Sequence, residues 1–90
     1  MKRISILIKG RVQGVFYRAS ARDVARQFDI KGFVRNESDG NVFLEVEGTE
    51  DKLQKLVAWC KKGPPLAHVS GVEVKELDDM VNYSSFEISR

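Results

Sequence analysis

KRISILIKGRVQGVFYR, running from Lys2 to Arg18, carries two different periods back to back. In its first half Ile4, Ile6 and Ile8 share one face of an extended chain rich in β-branched residues, which predicts a strand over 2–9. Leu7, on the other face, implies that this side is partly covered as well. The second half passes through Gly10 and Gly14 and runs into a helical pattern. Ala21, Val24, Ala25 and Phe28 take the i, i+3, i+4 and i+7 positions, with Arg22, Asp23 and Arg26 on the opposite face. A strand leading through a glycine loop straight into a helix can cradle an anion. Glycine permits a tight fold in which successive N–H groups converge, and the helix start adds four unpaired N–H groups and the positive end of its dipole. Arg18 falls in the first helical turn, where the dipole disfavours a cation by about 0.3–1 kcal/mol. A bound anion, phosphate above all, removes that conflict.

Further along, Ile30 to Arg35 predicts a second strand, and Asn36-Glu37-Ser38-Asp39-Gly40 has the turn chemistry of a hairpin with Asp39-Gly40 at its tip. Val42, Leu44 and Val46 alternate as a third strand. Thr49 is placed to N-cap a second helix, with Glu50 and Asp51 favourable to its dipole, and Leu53, Leu56, Val57 and Cys60 form its apolar stripe. Gly63 followed by Pro64-Pro65 ends it. Val69, Val72 and Val74 mark a fourth strand, interrupted near Gly71, and Phe86 and Ile88 a short fifth. This order predicts an α+β fold of split βαβ type: an antiparallel sheet with both helices on one face, where right-handed crossovers put them. The outer face should be the more polar one, as Glu45 and Glu47 suggest. Strand two is expected beside the strand that feeds the glycine loop, bringing Asn36 close to the cradle.

Ninety residues suffice for one domain, 1–90, with a core just large enough to fold without staples. Fifteen Lys and Arg against thirteen Asp and Glu leave a net charge of +2, with the signs interspersed, which argues against a nucleic-acid platform. One cysteine excludes an intramolecular disulfide and a Cys-rich metal site, and no long apolar run or cleavage-like segment opens the chain. A soluble cytoplasmic monomer, bound to neither membrane nor nucleic acid, is expected.

Each candidate group also has an ordinary explanation. A loop with two glycines is by itself more often a tight connection than a phosphate site, and this one matches neither the P-loop nor the dinucleotide pattern. Arg18 strengthens it, because a guanidinium fork beside converging amides can grip a phosphoryl group bidentately. Asn36 is ordinarily a turn residue; its amide offers a donor and an acceptor, which can hold a water without taking its proton. His68 stands alone at a strand start, Cys60 lies on an apolar stripe, and Trp59 sits at a helix margin. No Ser-His-Asp set, carboxylate pair or metal-ligand spacing can be assembled. An enzyme built from these residues works by positioning. A non-catalytic phosphate-binding domain remains the main rival, distinguished by whether Asn36 has work to do. An RNA-binding module of the same topology would stack bases on aromatic residues of its central strands, and the first strand has none.

GRVQGVFYR over 10–18 and GFVRNESDGNV over 32–42, closing at Gly48, resemble the two signature segments of acylphosphatases. The resemblance continues through Gly63-Pro64-Pro65 and the Tyr83 to Ile88 ending, with no departure at a position the family uses for chemistry. It implies a ferredoxin-like sandwich and hydrolysis of the carboxyl-phosphate bond of acyl phosphates, with no metal or cofactor. By that match Arg18 binds the phosphoryl group, Asn36 orients the attacking water, and the backbone amides of Gln13, Gly14, Val15, Phe16, Tyr17 and Arg18 complete the cradle. Inorganic phosphate is then the product and an inhibitor.

Overall fold

The computed structural model describes residues 1–89. The elements are β1 (Lys2–Arg11), α1 (Tyr17–Gln27), β2 (Lys31–Asn36), β3 (Val42–Gly48), α2 (Glu50–Lys62), β4 (His68–Leu77) and β5 (Phe86–Ile88). They form one five-stranded sheet in the order β4-β1-β3-β2-β5. Four strands are antiparallel neighbours as expected; β5 departs from that expectation by pairing parallel to β2, so the sheet is mixed. This three-residue pairing is closed at either end by Gly32 N–H to the Ser85 carbonyl and Ser89 N–H to the Val34 carbonyl.

The strand periods sort the two faces. Ile4, Ile6, Ile8, Val34, Val42, Leu44 and Val46 point to the helices and are buried with Tyr17, Ala21, Ala25, Leu53, Leu56 and Cys60. Helix α1 lies over β2 and β5, and α2 over β4, β1 and β3. Arg26, in the last turn of α1, donates to the Phe86 carbonyl at 3.0 and 3.2 Å and ties that helix to β5. No helix among the described residues is long and apolar enough to cross a membrane.

Three expectations change in detail. Strand β4 is continuous through Gly71; Lys9 pairs with Gly71 and Gly10 with Val69, so Ser70 is the extra residue of a bulge. Gly10 belongs to β1 and not to the turn, and it is required by close approach: a Cβ there would lie 2.2 Å from the His68 carbonyl oxygen. Thr49 does precede α2, but its hydroxyl donates to Asp51 Oδ1 at 2.7 Å instead of capping a helix N–H.

The outer face is polar but covered. Glu47 is only 2 % exposed, because residues 78–83 cross over it and its carboxylate accepts N–H bonds from Val81, Asn82 and Tyr83. Burial by itself would raise its pKa, yet these three donors, helped by the Arg3 charge, hold it below the ordinary glutamate value. Beside it, Glu45 takes Arg3 at 2.9 Å and the Tyr83 hydroxyl. Glu47→Gln should therefore cost about 1.5–3 kcal/mol at neutral pH. The sign follows from the lowered pKa: the carboxylate's contribution is in force above the ordinary value of about 4.3 and is lost as pH falls through the lower folded value. Chemical denaturation at pH 7 and near pH 3 should show the gap between parent and variant shrinking in acid; an equal gap at both pH values would refute it.

Candidate active site

Beyond Arg11 the chain leaves β1, crosses the end of β3 and enters α1 above β2. Val12 and Val15 are buried, while Gly14 turns the loop at φ 75° and Phe16 precedes the helix at φ 66°. Phe16 gives α1 no side-chain cap, and no acidic residue occupies the first turn. The first backbone bond of the helix runs from Ser20 N–H to the Phe16 carbonyl at 3.1 Å; among the described residues, the N–H groups of Tyr17, Arg18 and Ala19 have no backbone acceptor. A helix start with open donors and no acidic side chain in its first turn presents net positive potential.

Arg18 adds a full charge there. The other arginines of α1 are engaged, Arg22 with Asp23 and Arg26 with Glu87, whereas Arg18 forms no ion pair among the described residues. It lines a pocket of about 400 Å³ with Val12, Gly14, Phe16, Tyr17, Ala19, Asn36 and Ile88. The pocket thus unites Arg18 and Asn36, which are eighteen positions apart in the chain. Four of the six residues expected to supply amides border it; Gln13 and Val15 do not. A roomier groove of about 650 Å³ lies between α2 and the β1–β4 edge, lined by Ile4, Leu53, Val57 and Val74, and it contains neither expected side chain.

Asn36 reaches the pocket by a route other than the one expected. Strand β2 is not beside β1; β3 lies between them. Asn36 pairs with Val42, and Val42 pairs with Ile8, so these residues form a row across the sheet at the end where the glycine loop departs. Asn36 shares the helix-facing side with Val34, and the loop spans the two strand spacings, about 10 Å, that separate β1 from β2. Its Oδ1 is buried without a hydrogen-bond partner among the described residues. Such an atom is uncommon in a folded interior and leaves an acceptor free for a further hydrogen bond.

Gln13 has a role that its place in the loop did not reveal. Its Nε2 donates to the carbonyls of Glu37 and Asn41, both at 2.8 Å, clipping the loop to the β2–β3 turn. The turn is braced on its own account by Glu37 N–H to the Asn41 carbonyl at 2.8 Å and by Asn41 N–H to Asp39 Oδ1 at 3.1 Å. Ile88, from β5, is the other contributor to the pocket that periodicity could not assign.

The remaining reactive groups lie elsewhere. Cys60 is fully buried, its thiol pushed up to about 12 by desolvation, which leaves it inert as a nucleophile. Tyr17 is raised by burial too and donates its hydroxyl to the Cys60 carbonyl at 2.8 Å; its ring packs 5.2 Å from that of Trp59. His68 is exposed at the start of β4. Among the described residues no three His, Cys, Asp or Glu side chains are grouped to hold a metal ion.

The profile of the acylphosphatase family matches residues 4–88. An acylphosphatase of Methylococcus capsulatus is 46 % identical over 90 residues, covering all of this chain and 98 % of the relative. The crystal structure of acylphosphatase from Bacillus subtilis superposes with a TM-score of 0.97 at 33 % identity, covering the whole of both chains. An acylphosphatase from Coxiella burnetii gives 0.93 at 38 % identity, over 98 % of this chain and 92 % of that one. The matched stretch reaches from β1 to β5 and so takes in the loop, the arginine and the asparagine together with the sheet that aligns them; the chain belongs to the acylphosphatase family of hydrolases.

Proposed function

We propose that Arg18 and the backbone N–H groups of the Gln13 to Arg18 loop, led by the four residues that border the pocket, Gly14, Phe16, Tyr17 and Arg18, hold the phosphoryl group of an acyl phosphate, and that Asn36 orients the water that attacks it. The observation that carries this reading is the pairing, in one pocket, of an arginine and a buried amide oxygen that have, among the described residues, neither an ion-pair partner nor a hydrogen-bond donor respectively. A water donating to Asn36 Oδ1 would satisfy that atom and turn an oxygen lone pair toward phosphorus. As the water's oxygen bonds to phosphorus, the bond from phosphorus to the acyl oxygen breaks and the electron pair leaves with the carboxylate. One proton of the water passes to a phosphoryl oxygen of the substrate, so no protein base is needed. The departing carboxylate, with a conjugate acid near pKa of about 4, needs no protein acid. Charge stabilisation and in-line placement supply the acceleration. All the named residues come from one copy of the chain, which acts in this reading as a single domain.

The test is hydrolysis of a carboxyl-phosphate substrate in excess chelator. Turnover should persist, and phosphate esters of simple alcohols, whose leaving groups do require an acid, should be far poorer substrates. Activity lost to chelator and restored by a divalent metal would defeat the proposal.

Inorganic phosphate should compete with substrate and raise thermal stability, because the unfolded chain offers no converged donors. At 100 times its dissociation constant a native-state ligand adds about 2.7 kcal/mol. In a domain of this size that shifts Tm by roughly 10–20 °C. Arg18→Gln should lose most of the shift, while its Tm without phosphate is equal to the parent's or higher, since a cation has left the helix start. Equal shifts in both proteins at matched ionic strength would reduce the effect to general salt exclusion.

A further inference from the structure

Phe16 occupies a position that disfavours it twice. Its backbone is left-handed, φ 66° and ψ 22°, a region that glycine enters freely and a bulky side chain only against steric resistance. The residue is 75 % exposed, the one aromatic among the large apolar residues left in water by the described residues. Nor does the ring join the core, which takes in Val12, Val15 and Tyr17 from the same stretch. Folding therefore gains nothing evident from a phenyl group here. Gly14, two positions earlier, meets the same conformational demand without a side chain.

The ring nevertheless borders the pocket that holds Arg18 and Asn36. An in-line displacement places the leaving group on the face of phosphorus opposite the attacking water. With the water on the β2 side, at Asn36, the acyl group falls toward the loop wall, where Phe16 is the large apolar surface. We infer that Phe16 is a specificity residue for the acyl half of the substrate, a platform for a flat, apolar acyl group, so that phosphates of aromatic carboxylic acids are preferred to those of short aliphatic ones. This inference rests on the assignment of Arg18 and Asn36 to the phosphoryl group and the water. The physical basis is removal of apolar surface from water together with offset or edge-on packing of two rings.

The test compares benzoyl phosphate with acetyl phosphate, taking the ratio of their kcat/KM values in the parent, Phe16→Gly and Phe16→Tyr. Because the Phe16 N–H is itself part of the proposed cradle, the ratio and not the common rate is decisive. The ratio should fall about tenfold in Phe16→Gly, chiefly through a higher KM for benzoyl phosphate, the scale of losing one apolar pocket contact. Phe16→Tyr, which keeps the ring, should preserve it. Thermal melting of Phe16→Gly should show a Tm no lower than the parent's, as the left-handed strain is gone. A ratio within about threefold of the parent's in Phe16→Gly overturns the inference even if both rates fall, and a tenfold fall shared by Phe16→Tyr does the same. Failure of the underlying reading has a separate signature: Arg18→Gln would then turn over acetyl phosphate normally.

Discussion

Replacing Arg18 by glutamine is expected to lower kcat/KM for an acyl phosphate by about 10³-fold or more, the scale on which an arginine stabilises a transferring phosphoryl group. Both KM and kcat should suffer, because in the proposed assignment the guanidinium would meet the phosphoryl oxygens in the bound substrate and more charge as the bond to the acyl oxygen lengthens. Arg18→Lys should recover little of the loss. An ammonium supplies the charge but not the planar fork that can engage two oxygens at once, and it is the more strongly hydrated of the two ions. Steady-state kinetics on variants whose melting curves match the parent's provide the check; an Arg18→Lys protein with near-parental kinetics would contradict the bidentate role.

Asn36→Ala should show a different pattern: kcat reduced by roughly 10²- to 10³-fold with KM little changed, the behaviour of a polar group whose work is done in the transition state. The proposed phosphoryl contacts would be left intact, so substrate should still bind. Since no protein hydrogen bond among the described residues ends on Asn36 Oδ1, the substitution should also leave stability within about 1 kcal/mol of the parent. That combination separates a positioning amide from a turn-forming one, whose loss would lower stability first. Near-normal turnover in folded Asn36→Ala would return Asn36 to the hairpin and favour a domain that binds phosphate without hydrolysing it.

Periodicity made most of the sheet and both helices legible. Ile4, Ile6 and Ile8 against Val42, Leu44 and Val46 are an unambiguous alternation, and the observed pairs Ile4–Val46, Ile6–Leu44 and Ile8–Val42 follow it directly. The neighbour of β2 was less legible, because hydrophobic alternation reports which face is buried and not which strand lies alongside. Adjacency of β2 to β1 is therefore not what brings Asn36 to the loop; the row Asn36–Val42–Ile8 across β3 is. Glu47 was placed on the correct face, but its burial depends on residues 78–83, whose sequence has no period to announce a covering segment. The sequence offers Gln13 only as a backbone donor, while its side chain bonds to carbonyls 24 and 28 positions away. Contacts with backbone carbonyls leave no mark in the partner's residue type, so no local reading could have found them.

That clip has a consequence for the order in which the protein acquires its activity. Gln13 can reach Glu37 and Asn41 only after β3 has docked between β1 and β2, for until then the loop and the turn are the ends of separate segments. A collapsed chain with both helices wound and the β2–β3 hairpin closed would still hold Arg18 and Asn36 at an arbitrary separation. Because such long-range pairing is the slow part of assembly in a sheet of this kind, regained turnover after dilution from denaturant reports the arrival of native topology, whereas far-UV circular dichroism reports only its ingredients. Hydrolysis would thus serve as a clock for the last step of folding.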